Sequence, residues 1–402
     1  MKRLALTGGI LFTLLYSTPS LSAQTLIVWE DERKGHGIEE AIRDFEELND
    51  VKIILSQSAY VSHISNMQEN EKTGQELPDI VMLPADRLGE AAKAKLLYPI
   101  RYSAQEKSRY LKSALKSFSY EGEVYAVPRS VETMVIYYNQ DLLKYPFEYM
   151  EDYYNFAREM RNIGKWGIVS KWDTIYYAYG FLRGFGGYCF GQNTDETLNP
   201  SDIGLDNAGA IAGTEYLKKF INGLAPQSIL GDSGYGEIDR LFTQGEVACV
   251  INGPWALDDY AKSGINYGVA PLPKLPNGQF IHPFLGFRGY AVTKYTKKRD
   301  LAEKFLHFIN QDQYALKRYE SIHEIPPVQS VMRNPIIVND DFANAVSVQA
   351  LFAEPTPSIP EMAQIWEPMN NAMAEAMKAD SNVERVLKEG ANKARESIRA
   401  QQ

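Results

Sequence analysis

Two sets of residues in this chain are placed where they could do chemistry. The first is aromatic. Trp255 follows Asn252-Gly253-Pro254, a turn cluster that neither helix nor sheet can continue, at the end of the apolar run Val247–Ile251. Asn266–Pro273 repeats the pattern of a strand with a proline-marked exit, and Trp172, Tyr176, Tyr235 and Trp366 also stand where elements begin or break. The second set is charged. Asp31, Arg33 and Lys34 occupy the loop Glu30–Gly35, Asp86 and Arg87 close the run Pro78–Leu83, and Glu132 sits in a connecting segment. Flat aromatic plates stack on the C–H face of a sugar ring, while planar carboxylates and guanidinium groups pair with its hydroxyl rim. The competing reading puts each aromatic in a core and each charge on a solvated surface. Division of the two sets between different parts of the chain favours a site.

Covalent chemistry finds less support. Gly231-Asp-Ser-Gly234 imitates the nucleophile segment of a serine protease, but no histidine stands in a supporting context and a serine nucleophile needs an oriented base. The five histidines are dispersed without metal-ligand spacing, and the glycines between Gly180 and Gly187 lack the order of a dinucleotide loop. No metal or cofactor is expected. Glu132 is the best lone candidate for one of a glycosidase's two carboxylates, yet its partner cannot be placed, and a carboxylate equally accepts hydrogen bonds from hydroxyls. The non-catalytic role is preferred.

The elements that must position these residues follow from pattern. Lys2 and Arg3, the apolar stretch Leu4–Tyr16 and the small residues to Ala23 have the order of a secretory leader, predicting export with cleavage near Ala23. The net charge is -9, and an acidic chain without a basic stripe argues against nucleic acid as partner. A chain of 402 residues favours two or more domains, and 45% apolar residues suffice for full cores. Cys189 and Cys249 could form one disulfide or remain free thiols.

Strands at Thr25–Trp29, Val51–Leu55 and Pro78–Leu83 alternate with helices, one carrying Ile38, Ala41, Ile42, Phe45 and Leu48 on a single face and another running over Leu88–Leu97. Such alternation predicts an α/β fold with a sheet covered by helices, and ligands then sit outside the carboxyl ends of the strands. Pro128–Glu132 reads as a connection between two lobes, and Gly286–Val292 as a strand returning to the first. Ser358–Glu361 and Ser381–Glu384 read as capping boxes of the last two helices.

Taken together, Leu26–Trp29, Pro78–Leu97 with Asp86-Arg87, Tyr120–Leu143 with Glu132, Ile203–Phe220 with Asp206-Asn-Ala-Gly209, Gly245–Trp255, Asn266–Pro273 and Ile359–Trp366 resemble the periplasmic maltose/maltodextrin-binding proteins, the solute-binding components of ABC importers. The resemblance covers nearly the whole mature chain. It implies a type II periplasmic-binding fold: a first lobe of residues 24–131 and 286–335, a second of 132–285 and 336–402, and closure of both around an oligosaccharide of the maltodextrin type. It implies delivery to an inner-membrane permease with its ATPase, a chemoreceptor as a further optional partner, and a monomer in the periplasm. By position, Lys34, Asp86, Arg87 and Glu132 correspond to polar sugar ligands of the first lobe and hinge, and Tyr176, Tyr235, Trp255 and Trp366 to aromatic plates of the second. Asp31, Arg33, Asp173 and Glu367 lie at or beside further ligand positions. The chain departs from the family pattern at Leu83, where a stacking Trp is usual, at Arg33, where an acid is usual, at Thr174, where Glu is usual, and at Glu367, where Tyr is usual. With a plate missing at Leu83, Trp255 and Trp366 are expected to carry more of the binding.

Overall fold

A computed structural model describes residues 24–195 and 197–401; the leader expected at 1–23 lies outside them. The first strand, Gln24–Glu30, pairs in parallel with Val51–Gln57 on one side and Ile80–Pro84 on the other. Leu26, Val28, Ile80 and Val81 are fully buried, as expected for strands covered on both faces. The helix Glu39–Asn49 buries Ala41 and Phe45 but leaves Leu48 exposed. Leu48 lies at the end of the apolar stripe, beyond the reach of the sheet. The helix at Leu88 stops at Lys93, because Lys95 turns left-handed and Leu97–Tyr98 becomes a strand against Val292–Thr293.

Phe284–Thr293 completes the first sheet, running antiparallel between Ile80–Pro84 and Ala126–Glu132. Pro128–Glu132 is therefore part of a strand and not the connection predicted. Proline is tolerated there because the ladder shifts register opposite Arg288 and Gly289, a bulge that spares its missing N–H. The chain crosses at Thr133–Met134 and enters a second sheet ordered Tyr267–Ala270, Val135–Asn139, Val247–Asn252, Trp166–Val169. Thr133 donates to the carbonyl of Phe284 at 2.8 Å, stitching this crossing to the one that returns.

The second sheet is covered by helices including Met150–Asn162 and Gly234–Thr243, and by Asp341–Ala350, whose Phe342 stacks on Tyr137. Trp366–Ala376 and Val383–Ala400 pack on one another and on Ala208–Ile221. Neither predicted capping box forms. Ser358 and Ile359 lead into a 3-10 turn, Pro360–Gln364, without a side-chain cap, and Asn382, not Ser381, caps the final helix by accepting from the Arg385 N–H at 2.8 Å. Asn207 caps Ala208–Ile221 in the same way, while Asp206 pairs with Arg395 at 2.8 Å. Cys189 and Cys249 are both buried and free.

Candidate functional site

The two sheets face each other across a cavity of about 590 Å³, within the range of small-molecule sites, roughly 300–1,000 Å³. The first lobe contributes Tyr60 and the turn Pro84–Arg87. Glu132 and Gly286–Arg288 come from the crossing strands, and Tyr176, Tyr177, Tyr235, Trp255, Trp366 and Asn370 form the opposite wall.

Trp255 reaches the cavity through a local device that only glycine permits. After the strand Val247–Asn252, the chain enters a 3-10 turn at Pro254–Ala256, and the indole folds back over Gly253. A Cβ on Gly253 would lie 2.2 Å from the indole. Asn252 locks the exit: its Oδ1 accepts from the Gly253 N–H at 2.9 Å and from Tyr177 at 3.1 Å, and its Nδ2 donates to Asp239 at 3.1 Å. Tyr176 stands in the first turn of Ile175–Gly184, its ring centroid 6.1 Å from Trp255 and 6.3 Å from Trp366. The Tyr176 hydroxyl is buried without a hydrogen-bond partner. Burial pushes this phenol well up in pKa, and Glu132, Tyr177 and Tyr60 nearby push the same way. Tyr235 is half exposed at the rim, with the Lys171 ammonium 5.1 Å from its ring centre.

The polar wall is built from ion pairs. Arg87 pairs with Glu90 at 2.7 Å, leaving Asp86 to accept from the Trp366 indole N–H at 3.1 Å, a contact that spans the two lobes. Burial raises the Asp86 pKa to about 6, against the opposing pull of Arg87, backbone N–H and the Trp366 hydrogen bond. Glu132 accepts from Arg288 at 3.1 Å, and Arg288 also grips Asp31 at 2.7 Å. Behind them lies a fully buried core of charge. Arg129 donates to Glu30 at 2.5 Å, to Glu324 at 2.6 Å and to the Tyr290 hydroxyl at 2.7 Å. Desolvation opposes ionisation of Glu324, but Arg129 and Lys34 hold its pKa down at about 2.

Of the residues singled out from sequence, Asp86, Arg87, Glu132, Tyr176, Tyr235, Trp255 and Trp366 line the cavity. The others do not. Lys34 points back toward Glu324, 4.0 Å away, and supports the buried charges. Asp31 stands one layer behind, holding Arg288. Arg33 is exposed at the tip of its loop in a left-handed conformation. Asp173 is buried, paired with Lys171 at 2.5 Å and accepting from the Gly231 N–H at 2.8 Å, so it fastens the Gly231 loop. Glu367 faces solvent, since one step along a helix turns a side chain about 100° away from its neighbour. Trp172 is a core residue packed on Phe181 and Phe220. Leu83 is fully buried opposite Gly289, off the cavity.

Sequence reasoning missed Tyr60, Tyr177, Arg288 and Asn370. Arg288 was signalled by a lone charge inside the otherwise uncharged run Phe284–Thr293. Tyr60 follows the carboxyl end of a strand of the first sheet, where ligands of such sheets gather.

A clamp of two α/β lobes, closing an aromatic wall against a charged one, defines a solute-binding protein. The chain belongs to the bacterial extracellular solute-binding protein family, which it matches over residues 40–346. It is 35% identical to the galactooligosaccharide-binding protein of Bacillus subtilis, across 95% of this chain and 91% of that one. It is 30% identical to the maltodextrin-binding protein MdxE of the same organism, across 94% and 90%. Among solved structures, MalX from Streptococcus pneumoniae in complex with maltopentaose superposes with a TM-score of 0.85 at 27% identity, covering 92% of this chain and 100% of that one. A cyclo/maltodextrin-binding protein complexed with maltotetraose gives 0.82 at 29%, covering 95% and 99%.

Proposed function

We propose that this protein captures a gluco-oligosaccharide of the maltodextrin type outside the inner membrane and hands it to an ABC permease and its ATPase. The observation that carries this is the wall of Tyr176, Trp255 and Trp366 set against Asp86 and Glu132 across one cavity. Three aromatic surfaces suit the C–H faces of successive sugar rings, and the two carboxylates suit their hydroxyls. Names of relatives support the same class. The galactooligosaccharide-binding relative, at 35% identity, favours a second reading in which the rings are galactosyl.

Seven residues are proposed as ligand contacts: Asp86, Arg87, Glu132, Tyr176, Tyr235, Trp255 and Trp366. Lobes of 24–131 with 286–335 and 132–285 with 336–402 are the proposed rigid units. Membership of Ala126–Glu132 and Phe284–Thr293 in the first sheet supports the first two boundaries within two residues. A ligand touching both walls would stabilise the closed state, with the crossings at Thr133–Met134 and Phe284 as hinge. A monomer in the periplasm, cleaved near Ala23, and a chemoreceptor as further partner complete the proposal.

Binding without bond cleavage is the reading for Glu132, whose carboxylate is already engaged by Arg288. Incubation with maltodextrins and galacto-oligosaccharides should release no new reducing ends. Release that disappears in Glu132→Gln would make the protein a glycosidase instead. Calorimetric titration with both sugar series, matched in length, decides between the two ligand readings by which series binds more tightly.

A further inference from the structure

Leu83 is buried off the cavity, but the first lobe is not left without an aromatic surface. Tyr60 opens the short 3-10 turn Tyr60–Ser62 after the carboxyl end of Val51–Gln57 and lines the cavity opposite Tyr176 and Trp255. Its backbone N–H donates to Asp31 at 3.3 Å. The Arg288 guanidinium lies 5.0 Å from the ring centre, a cation–π contact. Arg288 is itself immobilised: Asp31 holds it at 2.7 Å, Glu132 at 3.1 Å, and the adjoining bulge re-aims its strand at this point. The ring against which this guanidinium is held is itself part of the cavity lining.

We propose that Tyr60, held by Arg288, is the stacking plate of the first lobe and makes the cleft a two-sided sandwich selective for uncharged sugars. The inference rests on the oligosaccharide reading above. Selectivity against charge follows from the ion pairs. Both arginines lining the cavity are already matched by carboxylates, Arg87 by Glu90 and Arg288 by Asp31 and Glu132. The carboxylates Asp31, Asp86, Glu90 and Glu132 outnumber these two arginines, so a uronate would enter a wall of net negative charge. Arg288 is a positioning residue in this arrangement, acting on the sugar through Tyr60.

The test is calorimetry on the mature protein with the neutral oligosaccharide it binds best. Tyr60→Phe, which keeps the ring, should retain affinity within about twofold, whereas Tyr60→Ala and Tyr60→Leu should each lose about tenfold. Arg288→Lys keeps the charge but not the planar fork. It should weaken binding in the wild-type background and cost clearly less in the Tyr60→Ala background, where only its hold on Glu132 is left to lose. A purely structural arginine would instead lower the thermal midpoint and add its loss to that of Tyr60→Ala. An oligosaccharide of equal length ending in a uronic acid should bind at least about tenfold more weakly, since like charges brought together repel. Unchanged affinity in Tyr60→Ala and Tyr60→Leu, while the wild type binds, overturns this inference alone. Equal binding of the uronate overturns the selectivity. A wild type that binds no oligosaccharide overturns the functional reading and this inference with it.

Discussion

At the scale of single residues, Trp255 and Trp366 make the sharpest claims. Replacing either with Ala should weaken sugar binding by about 1–3 kcal/mol, measured by calorimetry, because each loses a stacking face and its buried area. Arg33→Ala and Glu367→Ala, at exposed positions off the cavity, should stay within about 0.5 kcal/mol of wild type. Asp86 supplies a pH dependence. Its folded pKa is raised from 3.8 to about 6, so its neutral form favours the fold below pH 3.8, and that contribution is lost as pH rises through about 6. Asp86→Asn should therefore raise the thermal midpoint of the free protein at pH 8 and leave it nearly unchanged at pH 4. A sugar hydroxyl donates more strongly to carboxylate than to carboxylic acid, so wild-type affinity should climb through pH 6 and the Asn variant's should stay flat. The place of Tyr176, Trp255 and Trp366 on the cavity was legible because turn residues and element starts flag them. Lys34, Asp173 and Glu367 were not, since which way a residue faces depends on the element around it and on partners far along the chain.

At the scale of elements, the exit from Val247–Asn252 and the charged layer under the crossing strands do the positioning. A Cβ at residue 253 collides with the indole it should present. Gly253→Ala should thus lose as much affinity as Trp255→Ala with an unchanged far-ultraviolet dichroism spectrum, which isolates presentation from folding. Arg129 pairs with both Glu30 and Glu324 in the interior. Arg129→Met would leave Glu30 buried without its cation and Glu324 with Lys34 alone, and should cost about 3–5 kcal/mol in denaturant unfolding. Periodicity disclosed the strands at Thr25–Trp29 and Val51–Leu55 and the helix that buries Ala41 and Phe45. It did not disclose that Pro128–Glu132 is a strand, because the bulge accommodating Pro128 is set by Arg288 and Gly289, distant in sequence. Nor could it decide which of Ser381 and Asn382 caps the last helix, two residue types of similar capping strength.

At the scale of the molecule, the chain crosses between the two sheets at Thr133–Met134 and at Phe284, and the two sides of the cavity already touch through Trp366 and Asp86. The two-lobed plan was legible from the return of Gly286–Val292 and from the family resemblance, not from composition. That the aromatic wall of Tyr176, Trp255 and Trp366 faces a charged wall carrying Tyr60 emerges only when the lobes are brought together. Ligand that binds this arrangement must stabilise it by mass action, by about 2.7 kcal/mol at a hundredfold excess over Kd. The most direct measurement is the thermal midpoint of the mature protein titrated with neutral maltodextrins and galacto-oligosaccharides of matched length. A saturable rise with one series, reduced in Trp255→Ala and Trp366→Ala, is the expected result. No shift with any oligosaccharide of either series, in a protein that unfolds cooperatively, would contradict the assignment.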